Sequence, residues 1–123
     1  MTRSVLVVDD DPAFRALAGR LLAAIGLAVV GEADGVATAL TAADRLKPAV
    51  VLVDVELPDG DGITLAGRLA SLPWHPRVLV TSIDPDITTC DDARAVGALT
   101  FVNKADLPNA PLATLLVDES PSR

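Results

Sequence analysis

Short apolar runs punctuate the chain and give the first guide to its fold. Residues 50–53 read Val-Val-Leu-Val without alternation and run straight into Asp54. An unbroken run of this kind, rich in β-branched residues, predicts a strand covered on both faces, as in a parallel sheet flanked by helices. A similar run over 4–8 ends in Asp9, Asp10 and Asp11, and one over 78–80 ends in Thr81 and Ser82. Another, over 98–102, leads to Asn103 and Lys104, and a brief one over 28–30 precedes a turn expected at 32–35.

Between these runs the apolar spacing becomes helical. Phe14, Leu17, Ala18, Leu21, Leu22 and Ile25 share one face of a helix that Asp11 caps, Pro12 opens and Gly26 stops. Val36, Leu40, Ala43 and Leu46 line a second helix over 36–47, halted by Pro48. A loop containing Pro58, Gly60 and Gly62 precedes a third, carrying Ile63, Ala66, Leu69 and Ala70. A fourth is expected to start at Asp84, Pro85 and Asp86, on a thin stripe of Ile87, Cys90, Ala93 and Val96. A fifth, over 107–117, is weakened by Pro108 and Pro111. Five strands alternating with five helices imply an α/β domain, a mostly parallel sheet with helices on both faces. The domain is expected to span 1–117, with 118–123 as a flexible tail.

Composition narrows the setting. Half of the 123 residues are hydrophobic, but the aromatics are only Phe14, Trp74 and Phe101, so Ala, Val, Leu and Ile must build the core. Acidic residues outnumber basic ones 17 to 10, and the net charge of −7 offers no footprint for nucleic acid or an anionic membrane. The lone Cys90 has no internal disulfide partner, and the apolar start is too short for a signal sequence. A cytoplasmic location is the expectation.

In a parallel sheet the strand C-termini meet at one edge, where open α/β sheets bind their ligands. That edge would gather Asp9, Asp10, Asp54, Thr81 and Lys104. Crowded carboxylates call for a counter-cation, and Mg²⁺ takes one or two carboxylates together with water and phosphate oxygens. A carboxylate can also serve as a nucleophile toward phosphorus, with a lysine and a hydroxyl stabilising the moving oxygens.

The residues that carry this chemistry resemble the receiver domain of two-component response regulators. The matching pieces are Val8 to Asp11 with Arg15 beyond, then Asp54 with Pro58, Asp61 and Gly62. Val80, Thr81 and Ser82 follow, and Gly97, Ala98, Phe101, Val102 and Lys104 complete the set. The resemblance implies a flavodoxin-like, doubly wound fold with strand order 2-1-3-4-5 and a phosphoryl group accepted on Asp54 from a histidine kinase or phosphotransfer protein. It implies Mg²⁺ held by Asp10, Asp54 and the main-chain carbonyl of Glu56, with Asp9 acting through water. Thr81 and Lys104 would contact phosphoryl oxygens, and Phe101 would move with Thr81 as a switch. An output protein or a homodimer would use the face of the fourth helix and fifth strand. Beyond its own phosphorylation and dephosphorylation no enzymatic turnover is expected.

Lys104 is followed by Ala105, Asp106 and Leu107 instead of the proline common in the family, which is closer to receivers of LuxR-type regulators. No helix-turn-helix segment accompanies it within these residues, so a receiver without an output domain is the expectation. Other readings compete. A degenerate receiver would dock partners without phosphorylation, and a phosphatase using an aspartate nucleophile would pair Asp54 with Glu56. The Asp59 to Gly62 segment hints at a calcium loop, but Ala70 stands where that loop needs a glutamate. His75 is expected at the surface and Cys90 in packing.

Overall fold

The computed structural model describes residues 3–117. Strands β1 (Ser4–Val8), β3 (Val50–Asp54) and β4 (Arg77–Ser82) are buried throughout except for Ser4 and Arg77 at their starts. This is what unbroken apolar runs demand. Strands β2 (Ala28–Ala33) and β5 (Thr100–Asn103) lie at the sheet edges and are more exposed. The spatial order is β2, β1, β3, β4, β5, with every pairing parallel. It matches the expected fold class. Asp54 pairs in register with Thr81, which fixes those two side-chain positions on neighbouring central strands.

Among the described residues four α-helices cover the sheet: α1 (Pro12–Ala24), α2 (Val36–Leu46), α3 (Gly62–Ala70) and α4 (Cys90–Ala95). One core cluster lies under α2, α3 and α4, with Val51, Val53, Val78 and Val80 at its centre. The other lies under α1 and the C-terminal segment, around Val5, Val7, Leu52 and Leu79. With few aromatics available, close approach of small side chains replaces bulk. In α2 the fully buried positions are Ala39, Ala42 and Ala43, flanked by the half-buried Val36, Leu40 and Leu46.

Several boundaries differ from the sequence expectation. Strand β2 continues through the expected turn to Ala33, because pairing with β1 runs on to Val8. At Gly31 a Cβ would meet Leu46 Cδ1 at 2.5 Å, so glycine there lets α2 lie close over the strand. Helix α4 begins at Cys90 rather than near Asp84. Ser82 Oγ accepts from the Asp84 amide (3.0 Å) and Asp84 Oδ1 from the Asp86 amide (2.9 Å), local turns that compete with helix. Thr89 then caps the later start, its Oγ1 accepting from the Asp92 amide at 3.0 Å. In place of one last helix there is a 3-10 helix, Lys104–Asn109, and a π-helical turn, Ala113–Val117. Pro108 and Pro111 lack the amide donors that a continuous α-helix needs. The segment still buries Leu107, Leu112 and Leu116. The loop after β3 contains an unexpected two-residue hairpin, Glu56–Leu57 with Gly60–Asp61. Among the described residues no helix is long and apolar enough to cross a membrane, and the expected tail lies outside them.

Gly62 opens α3 directly against the end of β3. Its amide donates to Val55 O at 2.7 Å. A Cβ on it would stand 1.9 Å from Asp54 O and 2.6 Å from Val55 Cα, both backbone atoms that no side-chain rotation can move aside. Gly62→Ala is therefore expected to cost about 1–3 kcal/mol, as overpacking does. Urea denaturation measures it, and an unchanged midpoint would contradict this close approach.

Candidate functional site at the carboxyl edge of the sheet

The chain leaves β1 through three successive aspartates with three different tasks. Asp11 is the N-cap of α1, its Oδ1 accepting from the Ala13 amide at 3.0 Å. Asp10 is exposed. Asp9 is fully buried, and its Oδ1 accepts from the Asp11 amide at 2.9 Å. Its Oδ2 lies 2.6 Å from Lys104 Nζ in an ion pair, yet has no directed hydrogen bond. The charges are paired, while the oxygen's lone-pair geometry is unsatisfied.

Asp54, only 5 % exposed, stands at the end of β3. Its Oδ1 receives a long hydrogen bond of 3.4 Å from the Glu56 amide, and its Oδ2 lies 3.6 Å from Lys104 Nζ. Lys104 follows β5 and reaches across to both carboxylates, with its ammonium 4.2 Å from the centre of the Phe14 ring. Carboxylate oxygens of Asp9, Asp10 and Asp54 all lie within 4.8 Å of one another. Beside them Thr81 is fully buried, its hydroxyl donating to Val53 O at 3.4 Å.

One ammonium does not balance three carboxylates, and Asp54 bears the consequence. Burial, then the negative charge of Asp9, raise its pKa from 3.8 to about 6; Lys104 and the Glu56 amide oppose them, and Asp10 adds a smaller upward push. Such a cluster of hard oxygen donors, one of them buried and incompletely hydrogen bonded, fits a small divalent cation.

Of the residues singled out from sequence, Asp9, Asp10, Asp54 and Lys104 converge, with Thr81 adjoining. Glu56 presents its main-chain amide to Asp54 while its side chain is exposed. Phe101 lies apart from the cluster, half-buried on β5 and in register with Val80; its carbonyl accepts a 3.4 Å hydrogen bond from the Cys90 thiol. His75 is exposed, and neither it nor Cys90 adjoins the acids.

Sequence pattern alone missed the tasks of four residues. Phe14 has the spacing of a core residue, and only its place beside Lys104 reveals a contact with the ammonium. Arg15 belongs to the motif, but the contact of its guanidinium with Asp9 O (2.6 Å) is visible only in three dimensions. Asp59 and Asp61, which mimic part of a calcium loop, are helix caps. Asp61 accepts from the Ile63 amide at 3.0 Å, and Asp59 reaches across to the first amides of α2, Val36 at 2.6 Å and Ala37 at 3.1 Å. Those bonds hold the Asp59 carboxyl below its ordinary pKa.

The chain is similar to known proteins. The family model for the response regulator receiver domain matches residues 5–112. The response regulator GacA of Pseudomonas viridiflava is 41% identical over 102 residues, which is 78% of this chain and 47% of that protein. The chain thus spans about half the length of that curated relative, and of a transcriptional regulator from Pseudomonas aeruginosa (49%). A two-component response regulator of the LuxR family from Aurantimonas superposes with a TM-score of 0.77 at 27% identity, covering 94% of this chain and 86% of that one. A response regulator from Burkholderia pseudomallei, solved with a phosphorylated aspartic acid, calcium ion and citrate, gives a TM-score of 0.79 at 30% identity, covering 94% and 67%.

The crowding at Asp54 has a measurable cost. Below pH 3.8 the carboxyl is protonated in folded and unfolded chains alike. As pH rises toward about 6 the unfolded chain ionises first, so the folded state loses relative stability. Above that window the penalty is constant, on the order of 3 kcal/mol. Asp54→Asn is expected to raise the urea midpoint of the metal-free protein at neutral pH, and the gain should vanish as pH falls toward 3.8. Equal midpoints for the two proteins at neutral pH would sink this account of the site.

Proposed function

The chain belongs to the response regulator receiver family, and from that premise we propose that it is a phosphorylation-controlled switch with Asp54 as phosphoacceptor and Mg²⁺ as its cofactor. The observation that carries the reading is the convergence of three carboxylates and Lys104 at the end of the central strand, within 4.8 Å for the carboxylate oxygens. Acids crowded in this way cost stability, and groups perturbed by burial and neighbouring charge cluster at functional sites.

Asp10, Asp54 and the main-chain carbonyl of Glu56 would hold the Mg²⁺, with Asp9 acting through water. When bound, the cation supplies charge neutralisation to the acids and to the oxygens of the phosphoryl group. Asp54, ionised above a pKa of about 6, attacks phosphorus with a carboxylate oxygen. A new P–O bond forms as the P–N bond of a phosphohistidine breaks, and the imidazole nitrogen keeps the electron pair and takes up a proton. The donor is a histidine kinase or a phosphotransfer protein. Lys104, already 3.6 Å from Asp54 Oδ2, stabilises charge on the transferred group, and the Thr81 hydroxyl contacts a second oxygen. Hydrolysis of the acyl phosphate later returns Asp54 to its free form, so the only turnover is of the protein's own phosphoryl group.

The signal leaves by the face of α4 and β5. Ile83 is 74% exposed and Ile87 36% exposed beside this face, and Phe101 is half-buried, so apolar surface is available to an output protein or a second copy. Replacement of the first turns of a longer α4 by the local turns at 82–86 leaves few helical hydrogen bonds to break there. A cytoplasmic setting suits a partner of this kind.

Incubation with acetyl phosphate and Mg²⁺, followed by intact mass spectrometry, is expected to give a single phosphoryl adduct that Asp54→Asn does not form. Undiminished labelling of that variant would remove Asp54 from the role. Absence of labelling in the parent would instead favour a receiver that only docks partners. For the output face, beryllofluoride with Mg²⁺ is expected to slow amide exchange over 82–104 more than over 14–25, and Thr81→Ala should blunt the difference. Uniform protection, or protection confined to the surroundings of Asp54, would contradict the assignment of that face.

A further inference from the structure

We propose that Arg15 is a positioning residue for the acidic corner, setting the direction of Asp10 through the main chain without touching metal or phosphoryl group; this inference rests on the metal-binding reading above. Arg15 lies in the first turn of α1, its own amide donating to Asp11 O at 3.0 Å. The guanidinium is largely buried and divides its donors: Nη1 to Asp9 O at 2.6 Å and Nε to Glu32 Oε1 at 2.6 Å.

The Asp9 carbonyl belongs to the peptide plane that joins Asp9 to Asp10. Asp9 is already tied at its amide, which donates to Ala33 O at 2.9 Å, and at Oδ1, which accepts from the Asp11 amide at 2.9 Å. Arg15 supplies the remaining tie, so only Oδ2 of Asp9 is left for Lys104 or a hydrated cation. Asp10 is different. Among the described residues no hydrogen bond or ion pair holds its side chain. Its direction is set by the backbone from which it departs, and Arg15 grips the plane on one side of it. Glu32, on β2, keeps the guanidinium turned toward the carbonyl and away from the carboxylates, where its charge would oppose a cation.

The planar fork matters, because one group must serve a carbonyl and a carboxylate at once. A lysine offers a single point charge and cannot hold both in this geometry. Arg15→Ala is expected to weaken Mg²⁺ affinity about tenfold, in the range seen when groups that orient metal ligands are removed. Arg15→Lys, which keeps the charge and folds in the same context, should recover less than half of that loss on a logarithmic scale. Isothermal titration of the full chain with Mg²⁺ at neutral pH measures both. At saturating Mg²⁺ the rate of labelling by acetyl phosphate should return to the parent value, because Arg15 is not in contact with the reacting atoms.

A purely structural role would lower the melting temperature while leaving the Mg²⁺ affinity of the folded protein unchanged, and that result overturns the proposal. So does a fall in the maximal labelling rate at unchanged Mg²⁺ affinity, which would place Arg15 in the chemistry itself. The parent and Asp10→Ala separate the two readings. If the parent shows no Mg²⁺ binding, the functional reading fails; if the parent binds, Asp10→Ala weakens binding and neither Arg15 variant does, only the positioning role fails.

Discussion

The constraint on which the structure turns is the reach of one ammonium over two buried carboxylates. Lys104 Nζ is 2.6 Å from Asp9 Oδ2 and 3.6 Å from Asp54 Oδ2. Two unit charges about 4 Å apart interact by roughly 4 kcal/mol at an effective dielectric constant near 20. That is similar in size to the penalty implied by the raised pKa of Asp54. The lysine therefore offsets much of the repulsion but cannot remove it, since Asp9, Asp10 and Asp54 share one counter-charge. The Phe14 ring, 4.2 Å from the same ammonium, steadies it from below without competing for the carboxylate oxygens. The site is held together by Lys104 and is still short of positive charge.

Holding these charges in place requires rigid loops at the carboxyl edge, and the chain makes them from its own acids. Asp11 and Asp61 cap the helices they precede, while Asp59 caps α2 from a different loop. The long-range cap ties the loop after β3 to the start of α2, and the backbone contact at Gly62 ties it to Asp54. Part of the acidic excess of the sequence is thus structural, spent on helix amides rather than on chemistry.

This division explains what the sequence could and could not disclose. The central strands were legible because burial on both faces leaves no room for polar alternation, and Asp54 was legible because it ends the most apolar of them. The acids were visible as a group, but the tasks of Asp59 and Asp61 depend on which amides come within 3 Å or so in space, and no linear spacing records that. The sequence points to a start of α4 near Asp84 because Asp84 and Pro85 make a good helix opening, while Ser82 and Asp84 make equally good turns with their own neighbours. The C-terminal segment, expected as one helix weakened by Pro108 and Pro111, forms two short helical pieces instead. Arg15 belongs to the motif, yet the atom it grips at the acidic corner is a carbonyl oxygen, which carries no side-chain signature at all.

The same topology supports the proposal that a signal generated at Asp54 leaves by the edge of the sheet that carries β5. Strands β1 and β3 each pair on both sides and end in the acids themselves, so moving either would dismantle the site. Strand β4 is also central, but its last residues, Thr81 and Ser82, pair with β5 and lead into the turns at 82–86. Strand β5 has a neighbour on one side only, is half-buried along its length, and carries Lys104 at its end. In the proposed switch, a phosphoryl group on Asp54 draws Lys104 away from Asp9 toward new oxygens, and the displacement falls on the strand with the fewest pairing bonds to resist it. The adjoining α4 is a short helix whose only fully buried side chain is Ala93. Little packing opposes its rearrangement, so a difference of a few kcal/mol in phosphoryl contacts is enough to change which arrangement is populated.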